Sequence, residues 1–164
     1  MKRRLATRIL AGTLMLLPLT AFADPGTSNR SMQTGPSGQQ VPLDPALAEG
    51  IRQIDAKNWT AAIDSLAVAV KRDPGNADIF NLVGYAYRNL GKLDEAFRLY
   101  ERALALDPQH RGAHEYVGEA YLMAGNLQKA EEHLAVLDKL CLFPCEEFTD
   151  LKKKIAEYRQ RKGK

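Results

Sequence analysis

The stretch ADIFNLVGYAYRNLGKLDEAFRLYERALALDPQH, residues 77–110, decides the fold of this chain. It contains two segments of helical pattern separated by a turn around Gly91, a residue suited to a left-handed helix cap. The second segment stops at Asp107-Pro108, because the residue before a proline is biased away from helix. Gly84 is small at a point where two paired helices must approach closely. Residues 77–110 are therefore predicted to form an antiparallel helical hairpin.

The same pattern recurs along the chain with a period of 34 residues, as in Asp73-Pro74 and Asp107-Pro108. A fixed period of this length is typical of repeat proteins, in which each unit is one supersecondary element. The other columns that repeat at this spacing are Gly50, Gly84 and Gly118; Ala62, Ala96 and Ala130; Trp59, Leu93 and Leu127; and Leu66, Tyr100 and Leu134. The sequence therefore predicts an all-α repeat fold.

The central unit resembles a tetratricopeptide repeat (TPR), a helix–turn–helix unit of 34 residues. The flanking units, 43–76 and 111–142, match less closely, as expected for terminal repeats with a neighbour on one side only. The resemblance covers residues 43–142 and implies an α-α superhelix of three helical hairpins. The positions of the central unit that match the family's signature are Phe80, Val83, Gly84, Tyr87, Ala96, Tyr100, Ala103 and Pro108.

Residues 143–164 are predicted to form a capping helix and a basic tail. The helix is expected from Glu146 to Arg161, where apolar residues recur at intervals of three and four and produce one apolar stripe. These residues are Phe148, Leu151, Ile155 and Tyr158.

The first 23 residues resemble a secretory signal peptide of the bacterial type. They combine a positive start at Lys2-Arg3-Arg4, a short apolar run and small residues before Asp24. The run is shorter than the roughly 20 apolar residues of a transmembrane helix. The mature protein is therefore expected to be periplasmic or secreted, without a stable membrane span after cleavage; an uncleaved anchor is the alternative.

The composition of residues 24–164, after the predicted signal peptide, argues against nucleic acid as a partner. Residues 24–42 are rich in Gly, Ser, Thr, Gln and Pro and are interpreted as a disordered leader. Residues 24–164 carry 19 basic and 20 acidic side chains. A general attraction to nucleic acid is not expected from this balance.

Cys141 and Cys145, the only cysteines, lie between the last repeat and the predicted capping helix. Two cysteines in an oxidising compartment favour a disulfide, and Pro144 favours a turn that brings their Cα atoms within bonding reach. The alternative is a thiol- or copper-handling accessory protein, because thiolates ligate soft metals. Accessible thiols or bound Cu(I) would support this alternative, whereas an inert disulfide would remove it.

Catalytic motifs and metal-ligand sets do not stand out in the sequence. His110 and His114 are four residues apart, but His110 follows Pro108 in a turn, and no third ligand is in an obvious place. His114 occupies the repeat position of Phe80, which favours a packing role. We therefore expect no catalytic residue, no bound metal and no cofactor.

The resemblance to TPR proteins implies that the first helix of each hairpin lines a concave groove that binds a protein or peptide. The residues predicted to line this groove do not match the Lys/Asn/Arg clamp with which some TPR domains hold a C-terminal carboxylate. The predicted function is that of a scaffold or adaptor for a partner in the cell envelope; self-association is a further alternative, and the oligomeric state stays open. The predicted groove residues are Leu47, Ile51 and Ile54; Asn81, Tyr85, Arg88 and Asn89; and Glu115, Glu119, Leu122 and Met123.

Overall fold

The structure is a computed structural model that describes residues 43–163. The predicted signal peptide (1–23) and leader (24–42) lie outside the described residues. Within residues 43–163 the chain is all-α, as predicted, and contains no strand. The helices are α1 (Pro45–Asp55), α2 (Trp59–Arg72), α3 (Ala77–Asn89), α4 (Leu93–Leu106), α5 (Arg111–Met123), α6 (Leu127–Leu140) and α7 (Glu146–Lys162).

The helices pair in sequence as three hairpins, α1–α2, α3–α4 and α5–α6, and α7 packs against both α5 and α6. Each hairpin turn contains one residue with positive φ, namely Lys57 (58°), Gly91 (75°) and Gly125 (81°). The predicted left-handed cap at Gly91 is confirmed, and its position recurs at the 34-residue period. The repeat therefore extends to the backbone conformation of the turns.

Close helix approach within the central hairpin depends on Gly84. A Cβ atom at this position would lie 2.7 Å from Cε1 of Tyr100, which is fully buried. In the third hairpin the equivalent glycine, Gly118, faces Leu151 of α7, and a Cβ atom there would lie 2.6 Å from Cδ2 of that leucine. The capping helix thus supplies part of the packing of the last repeat.

The first helices of the hairpins form the inner layer of the array. Helix α3 contacts both α1 and α5, whereas α2, α4 and α6 make no comparable contacts with one another. The side chains on the inner face of α1, α3 and α5 therefore lie along one continuous surface. Among the described helices, none combines the length and apolar character needed to cross a bilayer.

Candidate functional site

An aromatic cluster surrounds Arg88 on the inner surface. The ring of Tyr85 lies between Trp59 and Tyr116, at centroid distances of 5.8 and 4.9 Å. The guanidinium carbon of Arg88 is 5.1 Å from the centroid of Tyr85 and 5.4 Å from that of Tyr116. These distances suit cation–π attraction. The cluster joins α2, α3 and α5, which belong to three consecutive repeats.

Arg88 forms an ion pair with Glu119 of the same chain. Its Nη1 donates to Oε2 of Glu119, and the two side chains are only 11% and 14% exposed. The sequence predicted both residues as groove residues, and the structure places them together on the inner surface. Because the positive charge of Arg88 is already neutralised there, it is a weak anchor for an anionic ligand.

Glu115 lies beside this pair, half-buried, and has no hydrogen bond or ion pair among the described residues. Burial raises its pKa from 4.5 to about 8, and the nearby carboxylates of Glu119, Asp150 and Glu147 act in the same direction. Asp150 and Glu147 belong to α7, so the capping helix contributes negative charge to the inner surface. Arg111 partly offsets it, with Nε 3.6 Å from Oε1 of Glu147.

The shifted pKa of Glu115 predicts how stability changes with pH. The native carboxyl retains a proton between pH 4.5 and about 8, whereas the unfolded chain releases it. Since the native state binds more protons in this window, the contribution of Glu115 to stability is present below pH 4.5 and is lost as the pH rises through 8. Glu115→Gln stays neutral, so we expect the variant to become more stable relative to the wild type across this window in urea unfolding.

Comparing the wild type with Glu115→Gln also separates the contribution of Glu115 to the pH dependence of stability from that of His133. Burial, and then the neighbouring His114, lower the pKa of His133 from 6.5 to about 4. This shift makes stability rise with pH between about 4 and 6.5, whereas the shift of Glu115 makes stability fall as the pH rises. His133 contributes equally to both proteins and cancels in the difference. A difference in unfolding free energy that stays constant from pH 4.5 to 8 would contradict the assignment.

Two predicted groove residues belong to the core, and we correct their assignment. Leu47 is 8% exposed and packs in a cluster with Leu66 and Val83. Leu122 is also 8% exposed and packs against Leu151 of α7. Apolar side chains at these positions gain more from burial against neighbouring helices than from exposure on the inner surface.

The other predicted positions differ in exposure. Ile51 and Ile54 are half-buried and pack against the core of the first hairpin, so the apolar end of the predicted groove is largely covered. Asn89 is exposed and donates from Nδ2 to the carbonyl oxygen of Tyr85, at 2.8 Å. Met123 is 53% exposed at the end of α5. The accessible part of the predicted groove is thus centred on α3 and α5.

Asn81 is the most enclosed polar residue of the predicted set, with 6% of its surface exposed. Its Oδ1 is buried and has no hydrogen-bond partner among the described residues. Its Nδ2 would lie 3.3 Å from a Cβ atom on Gly112, in the first turn of α5. The amide therefore reaches from α3 towards α5.

The sequence analysis missed four residues of this surface: Trp59, Tyr116, Glu147 and Asp150. Trp59 is the only tryptophan and stands where the other units have leucine, a signal that was visible in the repeat alignment. Tyr116 precedes a core valine in α5 and has no counterpart in the signature. The two acids could not be placed, because the orientation of α7 against α5 does not follow from the repeat.

Cys141 and Cys145 connect the last two helices. Cys141 is the C-cap residue of α6 and Cys145 is the N-cap residue of α7. They form a disulfide in the structure, with Cα atoms 5.8 Å apart. Leu142 and Phe143, between them, are 94% and 84% exposed. Their pairing in the cell stays a prediction, because it depends on the compartment.

The histidines occupy structural positions. His110 is the N-cap of α5, and its Nδ1 accepts from the backbone N–H of Ala113 at 3.2 Å. His114 is 7% exposed and donates from Nε2 to the carbonyl oxygen of Pro108 at 3.0 Å, since a carbonyl only accepts. Its Nδ1 then accepts from Nδ1 of His133, at 2.9 Å. Within residues 43–163 no three potential ligands from His, Cys, Asp and Glu cluster as a metal site would require.

Comparison with protein families gives two matches, both described as tetratricopeptide repeat. One model matches residues 47–110 and the other residues 87–140. Together they extend over more than half of the chain. The matched region includes α1 to α6 almost completely.

Curated relatives match over parts of their length. The chain is 30% identical over 131 residues to cellulose synthase operon protein C of Escherichia coli K12, covering 69% of this chain and 11% of that protein. It is 29% identical over 85 residues to small glutamine-rich tetratricopeptide repeat-containing protein 2 of Mycosarcoma maydis, covering 52% and 24%. The chain therefore spans a quarter or less of the length of these relatives.

Solved structures with the same fold include peptide complexes. The Yersinia enterocolitica type III secretion translocator chaperone SycD superposes with a TM-score of 0.64 at 18% identity, covering 73% of this chain and 84% of that chain. PcrH in complex with the chaperone-binding region of PopD gives 0.63 at 21%, covering 71% and 90%. The TPR2B domain of yeast Sti1 in its pHsp70 complex gives 0.65 at 19%, covering 71% and 94%. At these identities the likeness concerns the fold.

Proposed function

Because the chain belongs to the tetratricopeptide-repeat family, we propose that it binds a protein or peptide partner on the inner surface of α3 and α5. The single observation that supports this most is the half-buried aromatic cluster of Trp59, Tyr85 and Tyr116. Tyrosine and tryptophan are enriched among residues that dominate binding energy. The proposal is a binding role, with no chemical step assigned to the chain.

Solved complexes of proteins with the same fold support a role in binding a segment of another protein. PcrH and the TPR2B domain of Sti1 each hold a segment of another protein. Their identity to this chain is too low to transfer the segment itself. What supports the inner surface here is its combination of aromatic rings, Asn89 and Met123, which remain accessible between covered core residues.

We further propose that the protein acts in the periplasm or outside the cell after removal of residues 1–23. The proposal rests on the signal-like N-terminus and on the pair Cys141–Cys145, which suits an oxidising compartment. There the bridge would tie the end of α6 to the start of α7. Its role is then to hold the capping helix against α5.

The proposal is tested by capturing partners of the tagged protein from the cell-envelope fraction of its host. We expect Met123→Arg to reduce the yield of specific partners by about tenfold, the effect of losing roughly 1.4 kcal/mol at an interface. Tyr85→Ala should act in the same direction, provided that circular dichroism shows it folded. The captured bait is expected to begin at Asp24 by intact mass.

Val68→Arg is the matched control for Met123→Arg. Val68 is an apolar residue of the outer helix α2 and is 40% exposed, close to the 53% of Met123. It receives the same substitution on the other layer of the array. Equal partner yields from wild type, Met123→Arg and Tyr85→Ala would rule out the inner surface, and a bait that retains residues 1–23 would rule out cleavage.

A further inference from the structure

The loop that joins α6 to α7, residues 141–145, presents two large apolar side chains to solvent. Leu142 and Phe143 are 94% and 84% exposed, whereas Met123, the next most exposed large apolar residue described, is 53% exposed. The loop is closed at its base by the disulfide, which holds the Cα atoms of Cys141 and Cys145 5.8 Å apart. Because the bridge restricts the backbone, the loop loses little conformational entropy when its tip is buried against another molecule. The exposed pair therefore favours a contact surface.

An open pocket lies at the opposite end of the array, between the turn of the first hairpin and the end of α3. We call it the Trp59 pocket; its volume is about 420 Å³. Trp59 is half-buried and Leu90 is 39% exposed, so both present apolar surface to the pocket. This volume lies within the range of about 300–1,000 Å³ that is typical of ligand pockets, and it accommodates a pair of large apolar side chains. The residues that line it are Lys57, Asn58, Trp59, Thr60, Ala61 and Leu90.

The 141–145 loop of a molecule does not reach the Trp59 pocket of the same molecule. The pocket lies beside the turns within the first and second hairpins, whereas the loop connects the second helix of the last hairpin to α7. Since the helices of each hairpin are antiparallel, these two kinds of connection lie at opposite edges of the array. An occupant of the pocket therefore comes from another molecule.

The segments around the loop and around the pocket carry opposite net charge. Residues 138–147, which contain the loop, carry three acidic side chains and one basic side chain. The turns 56–58 and 90–92, beside the pocket, carry Lys57 and Lys92 and no acidic residue. Both lysines are exposed. Complementary charges of this kind steer two surfaces together and disfavour contacts between like surfaces.

We propose that this protein self-associates head to tail, with Leu142 and Phe143 of one copy seated in the Trp59 pocket of a second copy. This inference goes beyond the proposed function, because the contact uses the two edges of the array and leaves the inner surface of α3 and α5 to the partner. Each bound pair still presents one free loop and one free pocket, so further copies add in a row. The tip of one loop buries little area compared with the roughly 800 Å² per partner of stable complexes, so we expect a dissociation constant on the order of 100 µM.

The test is sedimentation equilibrium of the purified protein, with its disulfide formed, from about 10 µM to about 1 mM. We expect the average mass of the wild type to rise with concentration, and to rise less at high salt. Phe143→Asp removes the apolar tip and Leu90→Asp places a charge in the pocket, so each should weaken association by about tenfold or more. Val68→Asp is the matched control for Leu90→Asp, because Val68 is 40% exposed further along α2, and it should leave association unchanged.

Mixing the two defective variants identifies the surfaces that meet. Phe143→Asp keeps its pocket and Leu90→Asp keeps its loop, so an equimolar mixture should form a 1:1 complex that does not grow further. Circular dichroism checks that both are folded, and Lys57→Asp, a change in an exposed turn, is a second pocket variant that should weaken association by about threefold.

A wild type that stays monomeric at about 1 mM would overturn the proposal, even if Phe143 then proved to bind lipid vesicles. A mixture of Phe143→Asp and Leu90→Asp that is no larger than its components would overturn it as well. Neither result would affect partner capture by the inner surface, which is probed at Met123, so a failure of self-association is distinguishable from a failure of the proposed function.

Discussion

Tyr100→Ala is expected to lower the free energy of unfolding by about 3–5 kcal/mol, as for other large aromatic residues removed from a core. Tyr100 is fully buried, and its ring fills the space that the absent side chain of Gly84 leaves between α3 and α4. The same ring packs with Val117 and Ala120 of α5, so the central and third hairpins both lose contacts. The measurement is urea unfolding followed by circular dichroism.

Tyr100→Phe is the control, because it retains the ring and removes only the hydroxyl. The hydroxyl lies near Arg88 but makes no hydrogen bond of standard geometry among the described residues. Its removal should therefore change stability by less than about 1 kcal/mol. Comparable losses in the two variants would mean that the hydroxyl, and not the packing of the ring against Gly84, stabilises the hairpin.

Arg88→Glu is the second substitution with a large expected effect, a loss of about 3–5 kcal/mol, the usual cost of breaking a buried ion pair. The change removes the partner of Glu119 and the cation between Tyr85 and Tyr116. It also adds a carboxylate next to Glu115, whose pKa is already raised by its acidic neighbours. Urea unfolding at pH 7, where Glu115 is still largely protonated, measures this loss.

Two further variants isolate the ion pair from the charge change. Arg98→Glu makes the same reversal on the exposed surface of α4 and should change stability by less than about 1 kcal/mol. The double variant Arg88→Gln/Glu119→Gln removes both charges, and its loss should be smaller than the sum of the two single losses. Additive losses would mean that Arg88 and Glu119 do not stabilise each other. Because Arg88→Glu perturbs the fold, it is a poor probe of partner binding, and Met123→Arg is the better one.

Much of the architecture was predictable because it follows from local rules. The 34-residue period, the glycine at position 84 and the turn at Gly91 each specify a short-range geometry that the structure confirms. The amphipathic pattern of the last helix likewise predicted that Leu151 and Ile155 would be buried, and both are. These features depend on residues within one hairpin or within one helix.

The candidate site was less predictable, because it combines residues from different repeats. Position in the repeat correctly placed Tyr85 and Arg88 on the inner helix, but it could not tell that Glu119 would neutralise Arg88. The same rule assigned Leu47 and Leu122 to the groove, although both are buried. Repeat position gives the direction of a side chain, whereas exposure depends on what the next helix brings against it.

The sequence by itself determined an all-α array of three hairpins with a capping helix. The reason is that the 34-residue period, with its recurring small, aromatic and turn residues, specifies a helical hairpin in each repeat. Only the tertiary structure decided the character of the inner surface. It brought Trp59 from α2 against Tyr85, and it brought Glu147 and Asp150 of α7 towards Glu115. The physical reason is that electrostatics and solvent exposure act between groups near in space, and in this chain those groups lie up to 35 residues apart in sequence.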